Sequence, residues 1–325
     1  MKLPRRQFLH LTAGAAALSA LPRMATAQAY PSRPVRIVLG LPVGGNQDAI
    51  ARLIAPWLSE RLGQQIIIDN HPSASNNIAA EAVIRSPPDG YTLLYTPSSL
   101  SLTVAVHKVA PYDVAKDLTP IINVAVSPYA LVVHPSVPAG NLKEFIAYAK
   151  ANPDKLSYSS AGVGSASHLA AELFKNMAGI DMVHVPNKGM NPALVDLMGG
   201  QVQALFASVP GMLAERSERL RPIAMAEKKR SALLPNLPTM DEQGLKGFEV
   251  GNWAGLLGPA GLDPAIVKKL HGEIVNILAA ADVMARIKTL GYDMIGSTPQ
   301  EFGAQAQNDV VRWSEVVKRA NVPLN

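Results

Sequence analysis

The feature that most constrains this sequence is a strand-then-helix rhythm that runs along the chain twice. In the first pass, the mostly apolar run Val35–Leu39 leads into a helical pattern. It places Ile50, Leu53, Ile54, Trp57 and Leu58 on one face, stops near Gly63 and is kinked at Pro56. A run at 66–68, a helix over about 77–85 and a run at 91–95 complete a βαβαβ unit. Such units form parallel sheets covered on both faces. Residues 121–126, Ser127-Pro128 and 130–134 read as a connection into a second unit. The rhythm then restarts with a helix over 142–151, a strand at 156–159, a helix over 167–177 and a strand at 182–185. A helix over 192–198, stopped by Gly199-Gly200, precedes strands at 204–206 and 222–226. Residues 231–250 are loop-like, and helices follow over 264–279 and 299–319. Ligands of such sheets sit at strand C-terminal ends beside helix starts, so two facing units enclose a cleft.

The corners between strands and helices are rich in Gly, Ser and Asn. In LPVGGNQDAIAR (41–52), Val43, Gly44, Gly45 and Asn46 can offer amides to an anion. Asn46 and Asp48 can equally cap the helix. The corner has no Lys and no G-x-x-x-x-G-K-[ST], which excludes a nucleoside triphosphate loop. In SSAGVGSASHLAAELF (159–174), Gly162 and Gly164 precede a helix, but Ser167 stands where a dinucleotide fingerprint needs its third glycine. Ser165 and Ser167 are good caps. Ser165 with His168 raises a serine-hydrolase alternative, which also needs an acid partner and an exposed nucleophile; no G-x-S-x-G occurs. The competing reading of His168 is packing or one hydrogen bond. In HVPNKGMNPALVDLMGGQV (184–202), Asn187 and Asn191 are neutral donors and Lys188 beside Gly189 a charge, or the segment is a solvated turn. Ser75, Asn76 and Asn77 precede a helix, and Thr96, Ser98 and Ser99 follow a strand.

None of these corners carries an acid/base pair with an activating partner. The His residues show no H-x-x-x-H spacing and there is no Cys, so no metal site, cofactor or disulfide is expected. Many neutral donors without a catalytic group describe a binder of a small anion.

Composition sharpens that reading. At 325 residues, 48% hydrophobic and 17% charged, the chain can bury large cores. Aromatics at 5% argue against a stacking platform for nucleic acid. The net charge of +5 comes mostly from residues 1–29, which hold Lys2, Arg5, Arg6 and Arg23 and no acid; the rest is 26 basic against 25 acidic residues. That first segment reads as an export signal. Arg5-Arg6-Gln7-Phe8-Leu9 fits the twin-arginine pattern, the apolar stretch is too short to span a bilayer comfortably, and small-x-small sites place cleavage near Ala27 or Ala29. An uncleaved anchor is the alternative.

Taken in order, YPSRPVRIVLGLPVGGNQDAIAR, PDGYTLL, SYSSAGVGSASHLAAELF, HVPNKGMNPALVDLMGGQV, LPNLPTMDEQG and NWAGLLGPAG resemble the Bug-type substrate-binding proteins of tripartite tricarboxylate transporters. The resemblance implies an α/β type II periplasmic binding-protein fold, with two lobes joined by two hinge strands around a central ligand cleft. It places residues 1–29 as signal, 30–127 plus 250–325 as one lobe and 128–249 as the other. The expectation is a periplasmic, monomeric solute-binding protein that is not an enzyme. The partners it implies are a small carboxylate and the integral-membrane permease subunits, or a sensor kinase in some relatives. The family's P-A-G-G-S-T-D loop falls on residues 42–48, with Val43, Asn46 and Gln47 departing. Its glycine-rich loop falls on 73–77, where Ser73, Ser75 and Asn76 replace glycines. Its S-A-G-x-G-S-x-x-H loop is retained as Ser160, Ala161, Gly162, Gly164, Ser165 and His168. Its V-P-Y-K-G-x-x-P turn keeps Lys188 and Gly189 but has Asn187 and Asn191, and its usual Asp is Ala207, followed by Ser208. These replacements suggest a mono- or dicarboxylate, including an aromatic one, and argue against an amino acid.

Overall fold

The computed structural model describes residues 30–72, 77–153 and 155–324. The export segment, and Ser73, Ser75 and Asn76, lie outside the described residues.

The first half begins as its pattern dictates. Strands β1 (Val35–Leu39), β2 (Ile66–Asn70) and β3 (Thr92–Pro97) pair in parallel, with β1 in the centre. Helix α1 (Asn46–Leu62) lays Ile50, Ile54 and Leu58 onto Val35, Ile37 and Leu39. It runs through Pro56, which faces solvent, and stops at Gly63, whose φ of 67° only glycine adopts without strain. Helices α2 (Asn77–Ile84) and α3 (Ser99–Val106) follow β2 and β3.

Strand β4 (Leu118–Val133) replaces the expected connection with one sixteen-residue strand. Its first part, to Pro128, pairs with β9 (Gly251–Pro259), and its last part pairs with β7 (Ala204–Ser208) and β8 (Arg221–Met225), all antiparallel. Pro128 is tolerated because it stands where β4 exchanges one set of partners for the other. The sheet is therefore mixed rather than parallel throughout.

In the second half, α4 (Leu142–Ala151), β5 (Ser157–Ser160), α5 (Ala166–Ala178), β6 (Val183–Pro186), α6 (Met190–Met198) and α7 (Val209–Glu215) surround a parallel β6-β5-β7 set. Phe145, Phe174, Phe206 and Phe248 form its aromatic core. After α8 (Pro264–Leu278), α9 (Ala281–Thr289) and the short β10 (Asp293–Met294), the chain ends in α10 (Pro299–Arg319). That helix opens with a capping box between Thr298 and Glu301. It belongs to both halves: Phe302 packs on Trp253, while Trp313, Val316 and Val317 join the second-half core.

The register of β4 decides how the halves meet. β3 runs in the same direction as β4 and ends at Pro97, level with Ala254 and hence with Ala125. β7 runs the opposite way and ends at Ser208, opposite Tyr129. The strand ends of both halves thus converge from opposite directions on residues 125–129. Among the described residues, no helix is long and apolar enough to cross a membrane.

Candidate functional site

The first corner is organised by Asp48. Its carboxylate is buried and accepts from the Gly44 amide (2.9 Å), Arg52 Nε (2.9 Å) and Asn70 Nδ2 (2.9 Å). Asn70 also holds the Leu41 carbonyl, and Arg52 bonds Asn70 Oδ1. Burial pushes the Asp48 carboxyl up, but the bonds from Arg52, Gly44 and Asn70 outweigh it and hold it below the ordinary value of 3.8. Gly44 turns with φ of 88°, and Gly45 opens α1 with no side-chain cap. The amides of Asn46 and Gln47 in the first turn therefore have no intrahelical acceptor. Val43 stands at the tip, 70% exposed.

Asn46 and Gln47 turn toward the segment after α9. Asn46 Nδ2 donates to the Leu290 carbonyl (3.3 Å), and the buried Gln47 amide lies against the Tyr292 hydroxyl. Gln47 Oε1 and the hydroxyl of Tyr95, which lies near Tyr292, are buried without a hydrogen-bond partner. Thr96 and Ser98 are buried, and Ser98 is occupied with Asn252 (2.9 Å), tying the end of β3 to β9. Ser99 begins α3 and Asn77 begins α2, where its Oδ1 is buried without a partner. Asn76 lies outside the described residues.

The second corner is folded on itself. Gly162 and Gly164 take φ of 128° and 75°. Ala161 donates its amide to Ser167 Oγ (2.9 Å), and Ser165 Oγ donates to the Gly162 carbonyl (2.7 Å). Ser165 also caps α5, accepting from the His168 amide. Gly164 donates its amide to His168 Nδ1 (3.0 Å), and Ser160 Oγ lies 2.6 Å from His184 Nε2. Gly164 also approaches Val106 at the end of α3, bringing the loop to the first half. The hydrolase constellation is absent: Ser165 Oγ serves the backbone, and the imidazole of His168 accepts a backbone amide rather than a serine proton.

The remaining residues divide. The Asn187 side chain is committed to Ser159 Oγ (2.9 Å) and Asp196 Oδ2 (2.6 Å). Lys188 and Asn191 are exposed beside Gly189. Ala207 is buried with Ala130, Leu194 and Met225 in an apolar cluster, and Ser208 at the strand end is half-buried. Sequence reasoning missed Arg52, Asn70, His184 and Tyr292. The i, i+4 spacing of Asp48 and Arg52 was a readable signal. The other three depend on strand register and on a chain return of more than two hundred residues.

Compared with known proteins, the chain carries the pattern described as Tripartite tricarboxylate transporter family receptor over residues 50–322. It is similar to R. palustris Rpa4515, solved with adipate, at 35% identity over 90% of this chain and 99% of that one, with a TM-score of 0.71. It is similar to MatC (Rpa3494) from Rhodopseudomonas palustris with bound malate, at 32% identity, 89% and 100% coverage and a TM-score of 0.68. A TctC solute binding protein from Polaromonas, solved with no ligand, is 27% identical, with 89% and 99% coverage and a TM-score of 0.81.

Proposed function

The chain belongs to the tripartite tricarboxylate transporter receptor family, periplasmic solute-binding receptors of two-lobed fold and not enzymes, and on that premise we propose that it captures a small dicarboxylate between residues 43–47 and 160–165. The observation that carries this reading is the convergence of the β3 and β7 ends on residues 125–129, with β1 beside β3 and β5 beside β7 each followed by a glycine turn and a helix start. Helix-start amides hold a carboxylate without a formal countercharge, so it can be bound and released. The lobes are residues 30–127 with 250–325, and 128–249, and closure is a rotation about β4 and β9. Delivery is to the membrane components of a tripartite transporter, after export by the twin-arginine route and cleavage near Ala27 or Ala29.

Ala207 supports a ligand without an amino group, since no carboxylate is offered at that position. The adipate and malate of the two relatives are properties of those proteins; here they set the first probes. The test is a thermal-shift series on the chain lacking residues 1–29 with adipate, malate, succinate and benzoate. A ligand at a hundred times its Kd stabilises by about 2.7 kcal/mol. A melting temperature unmoved by every carboxylate at millimolar concentration overturns the proposal.

A further inference from the structure

The second corner rests on two imidazoles. The rings of His168 and His184 stack with centroids 4.0 Å apart and planes within 9°. Tyr158 runs nearly parallel to His184 at 4.8 Å. His168 Nδ1 accepts the Gly164 amide, which puts the His168 proton on Nε2. Ser160 Oγ accepts the Gly162 amide (3.1 Å) and lies 3.2 Å from the Gly162 carbonyl and 2.6 Å from His184 Nε2, so its one proton serves either of the two. The His168 bond is that of a neutral ring and ends on the backbone of the turn read above as holding the ligand, and the His184 bond reaches that turn through the Ser160 hydroxyl.

The charged surroundings are few. On α5, Glu172 accepts from the Tyr158 hydroxyl (2.6 Å) and from Lys175 Nζ (3.0 Å). Lys175 also pairs with Asp181 in the turn before β6. Glu172 favours a cation on His168, whereas Lys175 opposes one on either ring. Burial outweighs the attraction and depresses both rings, His184 to about 4, with His168 and Lys175 as its further causes.

We infer that His168 and His184 form an acid-sensitive prop under residues 160–164: while both rings are neutral they hold the turn in its binding shape, and protonation of the pair releases it. A proton on His168 Nδ1 would point at the Gly164 N–H, which is already a donor. A proton on His184 Nε2 would commit the Ser160 hydroxyl proton to the Gly162 carbonyl at 3.2 Å, which also accepts from Ser165 at 2.7 Å. Two stacked cations would also repel. His168 and His184 are positioning residues here, and their effect on affinity rests on the reading that residues 160–165 bind the ligand.

The test is a ¹⁵N NMR titration of the ligand-free chain from pH 7.5 to 3.5. The expected result is that His168 Nδ1 and His184 Nε2 are unprotonated at neutral pH. The Gly162 and Gly164 amides then shift with the same midpoint as the imidazoles, below the ordinary histidine value of about 6.5. The double substitution His168→Asn with His184→Gln keeps an acceptor at each place but cannot titrate, and should flatten the glycine shifts. Between pH 7.5 and 4 the fall in wild-type affinity for adipate should exceed, at least tenfold, the fall in the double variant, where only the ligand's own carboxyls titrate. Imidazoles that titrate without moving Gly162 and Gly164 overturn the inference, as does an unchanged pH profile in the double variant. Absence of adipate and malate binding at pH 7.5 would instead count against the proposed function, and the glycine titration still decides the prop.

Discussion

Trp253 on β9 donates its indole N–H to Asp309 on α10 at 2.8 Å, and both side chains are buried. Arg312 binds the other carboxylate oxygen (2.6 Å) and the Glu249 carbonyl. The terminal helix is thereby tied to the strand where the chain re-enters its first half. Burial raises the Asp309 carboxyl above its ordinary value, against the pull of Arg312 and Trp253.

Asp309→Asn keeps an acceptor for Trp253 and removes the cost of burying a charge, a gain offset by the amide NH2 it turns toward Arg312. It should change unfolding free energy by less than about 1 kcal/mol, whereas Asp309→Leu, which orphans the indole N–H and Arg312, should cost about 2–3 kcal/mol. Urea denaturation followed by Trp fluorescence separates the two; equal effects would contradict the arrangement.

Asp48→Ala leaves Gly44, Arg52 and Asn70 without their common acceptor. A loss of about 2–4 kcal/mol is expected at pH 7. Because the folded carboxyl titrates below its ordinary 3.8, its contribution is present above that pH and is lost as pH falls through the folded value. The gap between variant and wild type should therefore shrink near pH 3, which denaturation at the two pH values would show.

Gly255→Ala places a Cβ against the ring of Phe302. Overpacking there should cost about 1–3 kcal/mol and loosen α10. Hydrogen exchange of the α10 amides should rise in the variant; unchanged protection would show that the helix is held elsewhere.

Ser165→Ala removes the α5 cap and should cost about 1 kcal/mol. No ester or amide turnover is expected in either protein. A chromogenic ester assay beside calorimetry checks this, and turnover by wild type alone would restore the hydrolase reading.

Much of the fold was legible because its periodicity is local. Helix α10 was bounded by Pro299 and Arg319 as its pattern implied, β1 and α5 lie within a residue of their expected places, and α1 stops at Gly63 as expected. Strand β9 was not legible, because GNWAGLLGP is thinned by glycines. Gly255 is required by Phe302, nearly fifty residues further on. Strand β4 looked broken because Pro128 ends a ladder in most sheets. It does not do so here, because its partners change at that residue.

The site divides in the same way. The glycine turns at Gly44, Gly162 and Gly164 and the caps at Gly45 and Ser165 follow from backbone geometry that few other residues provide, so the amino-acid order alone determined where helix starts would be offered. It also supplied the family pattern that names the class of protein. What it could not supply was which polar side chains remain for a ligand. Asn46, Gln47, Ser98 and Asn187 looked like ligand donors, yet all are turned onto partners 9 to 245 residues away in the chain. Hydrogen-bond groups are satisfied by whatever the fold brings nearest, and the register of β4, β5 and β6 makes that choice. Only the tertiary structure decided that the ends of β3 and β7 converge on residues 125–129 from opposite directions, and that Ser160 and Gly164 lie on paired imidazoles.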